Sequence, residues 1–475
     1  MSVPRLKRTG SKPNVGIVHL GPGAFFRAFN AVYTDDAIKQ GDKDWGILAV
    51  SLRSPTAKDQ LDPQDGAFTS VTLGAGQTEY RVINSISGVL VAPEDPEAVL
   101  SKMADPAVKI VSLTITEKGY CHEPATGELQ LDHSDIAHDL ANPEAPKSAI
   151  GFIVEALARR RAAAVAPFTV MPCDNIPSNG TLAKGMVLAF AKERESALAA
   201  WIEENCAFPS TMVDRITPAT TPADVKSLEK AQGYHDPACV QHEPFRQWVI
   251  EDNFVNGERP QWEAGGAQFV ADVDAHELMK LRCLNGTHST LAYLGYLAGF
   301  ETIAETVAEP AFAELCKRIW RDEIIPTVPK PEGEDLEAYC DALLERYQNP
   351  SIRHRTWQIA MDGSQKLPQR LLGTIADNIQ AGREYTCLAL AVAGWIRYVG
   401  GVDENGDRIE VKDPLADKLK AAIDGANTPA AKVQAVLSMK EVFDPSLSSN
   451  PDFVARVTEA YEGLLQNGAL AVVKS

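Results

Sequence analysis

Val15-Gly-Ile-Val-His-Leu20, running straight into Gly21-Pro-Gly23 and Ala24-Phe25-Phe26, reads as a strand, a tight turn and the start of a helix. A short apolar run that stops at glycines and passes into an Ala/Phe-rich segment is the pattern of a first βα unit. Gly21 and Gly23 stand at the first two glycine positions of the dinucleotide fingerprint, where missing side chains let backbone N–H groups approach a pyrophosphate. Phe26 occupies the third position. The acid expected about 20 residues further on, at the end of the second strand, is also missing, and Ser51-Leu-Arg53-Ser54 stands there instead. Arg53 leaves room for the 2′-phosphate of NADP. By itself the turn reads equally as a structural strand-to-helix junction.

Moving outward, a second strand is expected over 45–52, with further strands over 80–86, 109–115 and 167–171 and a helix over 150–165. This alternation predicts an α/β, Rossmann-type domain built on a parallel-rich sheet with helices on its faces. Ligands of such open sheets bind beyond the carboxyl ends of the strands. Three polar clusters fall there: Gly21–Gly23, the segment from Thr114 through Thr116 and Glu117 to Gly119, and Cys173-Asp174-Asn175 with Asn179-Gly180. After about residue 270 the texture changes to helices punctuated by Pro and Gly, at 276–299, 310–323, 334–347, 368–380, 384–399, 413–424 and 450–466. The Gly- and Pro-bearing segment 253–271 marks the transition. The expected domains are a dinucleotide-binding domain over 1–270 and a mainly α-helical substrate and catalytic domain over 271–475.

A chain of 475 residues exceeds one ordinary core, and 45% hydrophobic with 23% charged residues describes a soluble enzyme. Its net charge of −18 lacks the basic footprint of a nucleic-acid partner. The eight cysteines form no CxxC pair, which fits reduced thiols better than a disulfide frame or zinc site, so no metal is expected. The basic N-terminal segment leads into no signal-type apolar core, and no run of 18 apolar residues occurs. A cytoplasmic protein with no membrane partner is expected, as monomer or homodimer.

The densest chemistry lies in Lys280-Leu-Arg282-Cys-Leu-Asn285-Gly286-Thr-His288. Turning an alcohol into a ketone needs a base, donors for the transient alkoxide and a hydride acceptor. Lys280 is the candidate base and Asn285 a candidate donor, provided burial or a cationic neighbour lowers the lysine pKa. The same residues also read as solvated helix charges, a turn-ending amide and a core histidine. On an ideal helix Lys280 and His288 lie about 12 Å apart along the axis and roughly 80° apart around it. Either Gly286 relaxes the helix, or His288 binds a neighbouring hydroxyl.

Six ordered segments together resemble the polyol-specific long-chain dehydrogenases of the mannitol dehydrogenase family: HLGPGAFFRAFNAVYTDD at 19–36, TITEKGY at 114–120, PCDNIPSNG at 172–180, FPSTMVDRITP at 208–218, KLRCLNGTH at 280–288 and QIAMDGSQKLPQR at 358–370. The likeness runs nearly end to end. Within the family the C-terminal half is most similar to the fructuronate reductases, through stretches such as NPSIRHRTWQIAMDGSQKLPQRLL and AGWIRYVGGVDENG. The reaction this implies is D-mannonate plus NAD giving D-fructuronate plus NADH, run as keto-acid reduction in hexuronate breakdown. A mannitol 2-dehydrogenase or related polyol (D-arabinitol) dehydrogenase is the nearest alternative, and an inactive nucleotide-binding sensor is the alternative from another class.

The resemblance makes Lys280 the general acid/base, Asn175 and Asn285 the oxyanion donors, His288 a substrate-positioning group and Glu277 a proton relay for Lys280. It points to cofactor contacts at Gly21, Gly23, Ala24, Phe25, Arg53, Thr116, Glu117, Asp174 and Asp214, with NAD favoured and NADP left open. Asp214 and Arg215 read as a structural ion pair tying the cofactor loop to the sheet. Lys366 matches a substrate-contacting lysine of the mannitol dehydrogenases, whereas the arginine eight residues earlier in those enzymes is Gln358 here. That departure speaks against mannitol and leaves Arg353, Arg355 and Arg370 as candidates to hold a carboxylate. A second departure is Phe29, where relatives commonly carry a histidine.

Overall fold

The computed structural model describes residues 3–123 and 126–475. The chain divides into two compact units, Met1–Asp274 and Ala275–Ser475. In the first unit the strands are β1 (Val15–Leu20), β2 (Gly46–Ser51), β3 (Phe68–Leu73), β4 (Thr78–Ile83), β5 (Ile86–Val91), β6 (Ile110–Leu113), β7 (Thr169–Pro172), β8 (Thr211–Asp214), β9 (Val240–His242), β10 (Gln247–Glu251) and β11 (Gln268–Val270). Five of them make the central sheet in the order β5-β2-β1-β6-β7. Every pairing in it is parallel, with Val18 of β1 set between Leu48 and Val111. β1 therefore lies where the order reverses, which places the end of its strand at a topological switch point.

The continuous apolar runs of β1 and β2 follow from burial on both faces. Val18, Leu20, Val50 and Leu113 pack on one face against Ile150, Phe152 and Ile153 of the helix Ala149–Ala162. Ile17, Ile47 and Ala49 pack on the other against Phe26, Phe29, Trp248 and Trp262. The expected Rossmann-type sheet is present. Two smaller sheets join it in this unit, β4-β3-β9 and β11-β10-β8. They correct one expectation, since the apolar stretch taken as a single strand over 80–86 is two strands in different sheets. β4 pairs antiparallel with β3, whereas β5 pairs parallel with β2. The break comes at Asn84-Ser85, where the Asn84 N–H donates to Asp35 (2.8 Å) and Ser85 Oγ donates to the Ala31 carbonyl (2.7 Å).

The second unit is helical, with long elements at Thr287–Leu297, Leu336–Tyr347, Thr386–Val399 and Pro451–Asn467. Thr386–Val399 is buried along almost its whole length. Its first-turn N–H groups would be orphaned there, and the buried Glu323 carboxylate accepts from Cys387 and Leu388, each at 2.8 Å. The shorter helices Ile303–Ala308, Pro429–Leu437 and Ala469–Lys474 escaped the reading of the sequence. The run expected over 276–299 is one continuous helical path of three kinds: an α-helix over Asp274–Met279, a π-helix over Lys280–Gly286 and an α-helix over Thr287–Leu297. Among the described residues no helix is long and apolar enough to cross a membrane, and all eight cysteines are unpaired thiols.

Candidate active site

The turn after β1 is shaped by its neighbours. Gly21 has φ +92°, and a Cβ there would sit 2.2 Å from the Thr114 carbonyl oxygen, so the left-handed conformation and the close approach both demand glycine. Its own carbonyl accepts from Thr114 Oγ1 (2.7 Å). His19, one strand residue before the turn, bridges Ser112 Oγ (2.8 Å) and Thr114 Oγ1 (2.9 Å). Burial pushes its pKa down to about 3, so the ring is neutral. The Phe26 ring stacks on it with centroids 3.7 Å apart. This contact accounts for phenylalanine at the third glycine position: the helix packs on the strand through a ring stack instead of a bare backbone.

Beyond the ends of β1, β2 and β6 lies a cavity of about 720 Å³. Gly21, Gly23, Arg53 and Thr116, four of the residues put forward as cofactor contacts, line it, and so do Arg27, Lys118, Lys147 and Asp135, which the sequence reading did not single out. Ala24, Phe25, Glu117, Asp174 and Asp214 are not among the lining residues. Phe25 stacks on Phe29 (5.0 Å), and Glu117 is exposed with its carboxylate 3.9 Å from His122. Asp174 is committed to the loop above the cavity, accepting from the Ile115 N–H (3.1 Å), the Thr116 N–H (2.8 Å) and Tyr120 OH (2.8 Å). These bonds hold Thr116 at φ +64°, a strained conformation for a β-branched residue.

Asn179 is a second clamp. It is fully buried, accepts from the Thr211 N–H (2.9 Å) and donates to the carbonyls of Thr211 (2.8 Å) and Asp174 (3.0 Å). It thereby fixes the loop that carries Asn175, which is exposed just past β7. Asp214 ends β8 and is buried. Its neighbour Arg215 donates to the carbonyls of Ala28 (2.7 Å) and Glu243 (3.2 Å), joining the helix after the glycine turn to the rest of the unit.

In the second unit Lys280 is 8% exposed and opens the π-helix. An i→i+5 ladder takes more residues per turn than the 3.6 of an α-helix, so eight residues come closer to two full turns and Lys280 and His288 come closer to one face. Gly286 permits this. A Cβ on it would lie 2.8 Å from the Arg370 carbonyl oxygen, on the facing π-helix Pro368–Leu372. Glu277 sits one turn before Lys280 and, like Asn285, is half-buried. Arg282 is occupied elsewhere, pairing with Asp377 (2.6 Å) and donating to the Thr327 carbonyl (2.9 Å).

His288 is 5% exposed, stacked on Tyr347 (5.0 Å) and set edge-on to His354 (4.7 Å). Burial, then the charges of His354, Arg370, Arg346 and Lys366, hold its pKa well below the usual value. Its Nε2 is buried with no hydrogen-bond partner among the described residues. Lys366, its pKa lowered to about 8 by burial and then by Arg370, donates to the carbonyls of Ile359 and Met361. Arg370 donates to Ser289 Oγ (3.1 Å). The other arginines weighed for a carboxylate stand apart: Arg353 is exposed, and Arg355 is exposed and paired with Glu301 (3.4 Å).

Two family models match in tandem, the mannitol dehydrogenase Rossmann domain over residues 15–264 and the mannitol dehydrogenase C-terminal domain over 272–465. The chain belongs to the mannitol dehydrogenase family. Among its relatives, D-mannonate oxidoreductase of Escherichia coli is 52% identical over 460 residues, covering 95% of this chain and 94% of its own. Mannitol dehydrogenase 2 of Saccharomyces cerevisiae is 42% identical, covering 100% of this chain and 94% of its own. The structure of Pseudomonas fluorescens mannitol 2-dehydrogenase, a ternary complex with NAD and D-mannitol, is 40% identical and superposes with a TM-score of 0.85 over 100% of this chain and 96% of that one. The family expected from the six motifs is thus the family found, and the chain is an oxidoreductase of the polyol and sugar-acid dehydrogenase type.

Proposed function

We propose that this enzyme interconverts D-mannonate and D-fructuronate with NAD. The observation that carries the sugar-acid reading is the pair of cations beside His288: Lys366 and Arg370 both act on a buried imidazole whose free Nε2 calls for a ligand hydrogen bond. A substrate carboxylate compensates that charge, and a neutral polyol does not. The 52% identity to a D-mannonate oxidoreductase supports the same reading.

The cavity of the first unit suits a dinucleotide. Gly21 lets backbone approach closely, and Arg27, Arg53, Lys118 and Lys147 supply positive charge. Arg27 Nε is buried without a partner among the described residues, which leaves it a donor for an anionic ligand. When bound, the dinucleotide accepts or supplies the hydride. The protein handles the rest. Lys280 takes the proton from the alcohol in one direction and returns it to the keto oxygen in the other. Asn285 donates to the developing alkoxide. Glu277, one turn from Lys280, passes the proton to solvent. His288, held neutral, binds a substrate hydroxyl through Nε2, and Lys366 and Arg370 hold the carboxylate.

Initial rates of NADH and NADPH oxidation with D-fructuronate and with D-fructose test the assignment. Turnover of fructuronate about 100-fold or more above that of fructose is expected, because a cationic site left unpaired rejects a neutral sugar. The reverse preference makes the protein a mannitol 2-dehydrogenase, and no turnover of either removes both assignments and points to another polyol such as D-arabinitol.

A further inference from the structure

The acid that a dinucleotide site keeps at the end of its second strand is missing here, and the structure brings another into its place. Ser51–Ser54, just past β2, line the cavity without a carboxylate. Arg53 reaches from this loop with its side chain 73% exposed, and its Nη2 lies 2.7 Å from Oδ2 of Asp135. Asp135 belongs to the first turn of the helix Ser134–Ala141, 82 residues further along the chain. Among the described residues that line the cavity it is the one acid, facing Arg27, Arg53, Lys118 and Lys147.

The helix that carries Asp135 is tied down at two points. Its N–H donates to Nδ1 of His133 (3.2 Å). One turn on, Asp139 anchors the same helix by accepting from the N–H groups of Lys147 (2.8 Å) and Ser148 (2.9 Å) and from Ser148 Oγ (2.6 Å). Gly151 makes room for that carboxylate, since a Cβ there would lie 2.2 Å from Asp139 Oδ2. The Asp135 side chain is only 13% exposed. The arginine is thus the exposed member of the pair and the aspartate the largely buried one. An ion pair with so exposed an arginine adds little to folding. Its consequence lies in what it presents to a ligand.

We infer that Asp135 is the coenzyme-selecting acid of this enzyme: it occupies Arg53 and sets a carboxylate where the 2′-phosphate of NADP would lie, so the cavity takes NAD. The inference rests on the dinucleotide reading of the cavity and on no assumption about the sugar. A 2′-hydroxyl leaves the pair intact and donates to the second carboxylate oxygen, the bond that a β2 acid makes in other sites. A 2′-phosphate carries about −1.5 to −2 charges. It has to break the pair and then stand beside Asp135, a like-charge juxtaposition that costs affinity.

Fluorescence titration of the full-length enzyme with NADH and with NADPH, no sugar present, reads the two dissociation constants directly. Wild type binds NADH more tightly. In Asp135→Asn the ratio of the NADPH to the NADH constant falls roughly tenfold or more, because the freed Arg53 meets the phosphate and the repulsion is gone. Arg53→Ala moves the ratio the other way, weakening NADPH while Asp135 remains. Thermal melting of each variant checks folding, and Asp135→Ser serves in place of the asparagine variant should that one not fold. An unchanged ratio in the Asp135 variants, or a wild type that prefers NADPH, overturns the selector. Failure of wild type to bind either nucleotide overturns the dinucleotide reading itself, and the selector with it.

Discussion

Lys280 is buried where it opens the π-helix, and its proposed part is to take a proton from the alcohol. Lys280→Ala is expected to lower turnover by about 10² to 10⁴ while NADH titration returns a dissociation constant close to wild type. Full activity in that variant removes the lysine from the proton transfer. Lys366 makes a different claim. Its pKa near 8 means that it is a cation at pH 7 and neutral at pH 9. A neutral amine has no charge to offer a carboxylate, so kcat/KM for fructuronate falls as pH rises through about 8. Lys366→Met should have a lower kcat/KM at pH 7 and lose that descent. If the descent persists in the variant, another group governs it, with Lys280 as the proton donor to the keto oxygen the first candidate.

Within the helical path from Asp274 to Leu297, the apolar pattern made the helix legible but not its winding. Whether a backbone N–H reaches back four residues or five is settled by what packs on it, and here the packing partner is the Arg370 backbone, 84 residues beyond Gly286. Asn285-Gly286 in the sequence suggested only that the helix relaxes. Gly286→Ala discriminates between packing and propensity. In an ordinary helix the change is worth up to about 1 kcal/mol of stabilisation. Against the Arg370 carbonyl it overpacks, so we expect about 1–3 kcal/mol of destabilisation in urea unfolding, and a raised KM for the keto acid as Arg370 shifts, with NADH affinity unaltered. A more stable variant with native KM would show that the close approach carries no function. Four of the five strands of the central sheet, all but β5, were legible for the converse reason. Burial on both faces writes itself as an unbroken apolar run, although the same rule joined β4 to β5 across Asn84-Ser85, because Ile83 and Ile86 are both buried.

At the scale of the whole chain, a net charge of −18 concealed a cavity lined by four cations, since composition averages over a surface that the fold then sorts. The proposed replacement for the missing β2 acid was likewise unreadable, lying on a helix that only tertiary structure brings near. The buried histidines are another such property, and they set the response to acid. His19 and His242 titrate near 3, His354 near 4 and His288 well below its usual value, in each case because burial disfavours the imidazolium. In the unfolded chain each returns to about 6.5. Below that pH the unfolded state binds protons that the native state refuses, so stability is complete above about 6.5 and falls as the pH drops toward the native values. Burial raises the pKa of Asp174 and Glu323, which opposes the trend by letting the native state take up their protons. Carboxylates start from about 4, however, so between pH 6.5 and 5 the histidines dominate. We expect several kcal/mol, on the order of 1.4 kcal/mol per histidine per pH unit, to be lost over that interval. Urea midpoints from pH 8 to 5 measure it. His19→Gln, which cannot be protonated, should take about one proton out of the slope. A midpoint that stays level from pH 6.5 to 5 means that the four rings take up protons in the folded protein as readily as in the unfolded chain, and the lowered pKa of His288 would go with them.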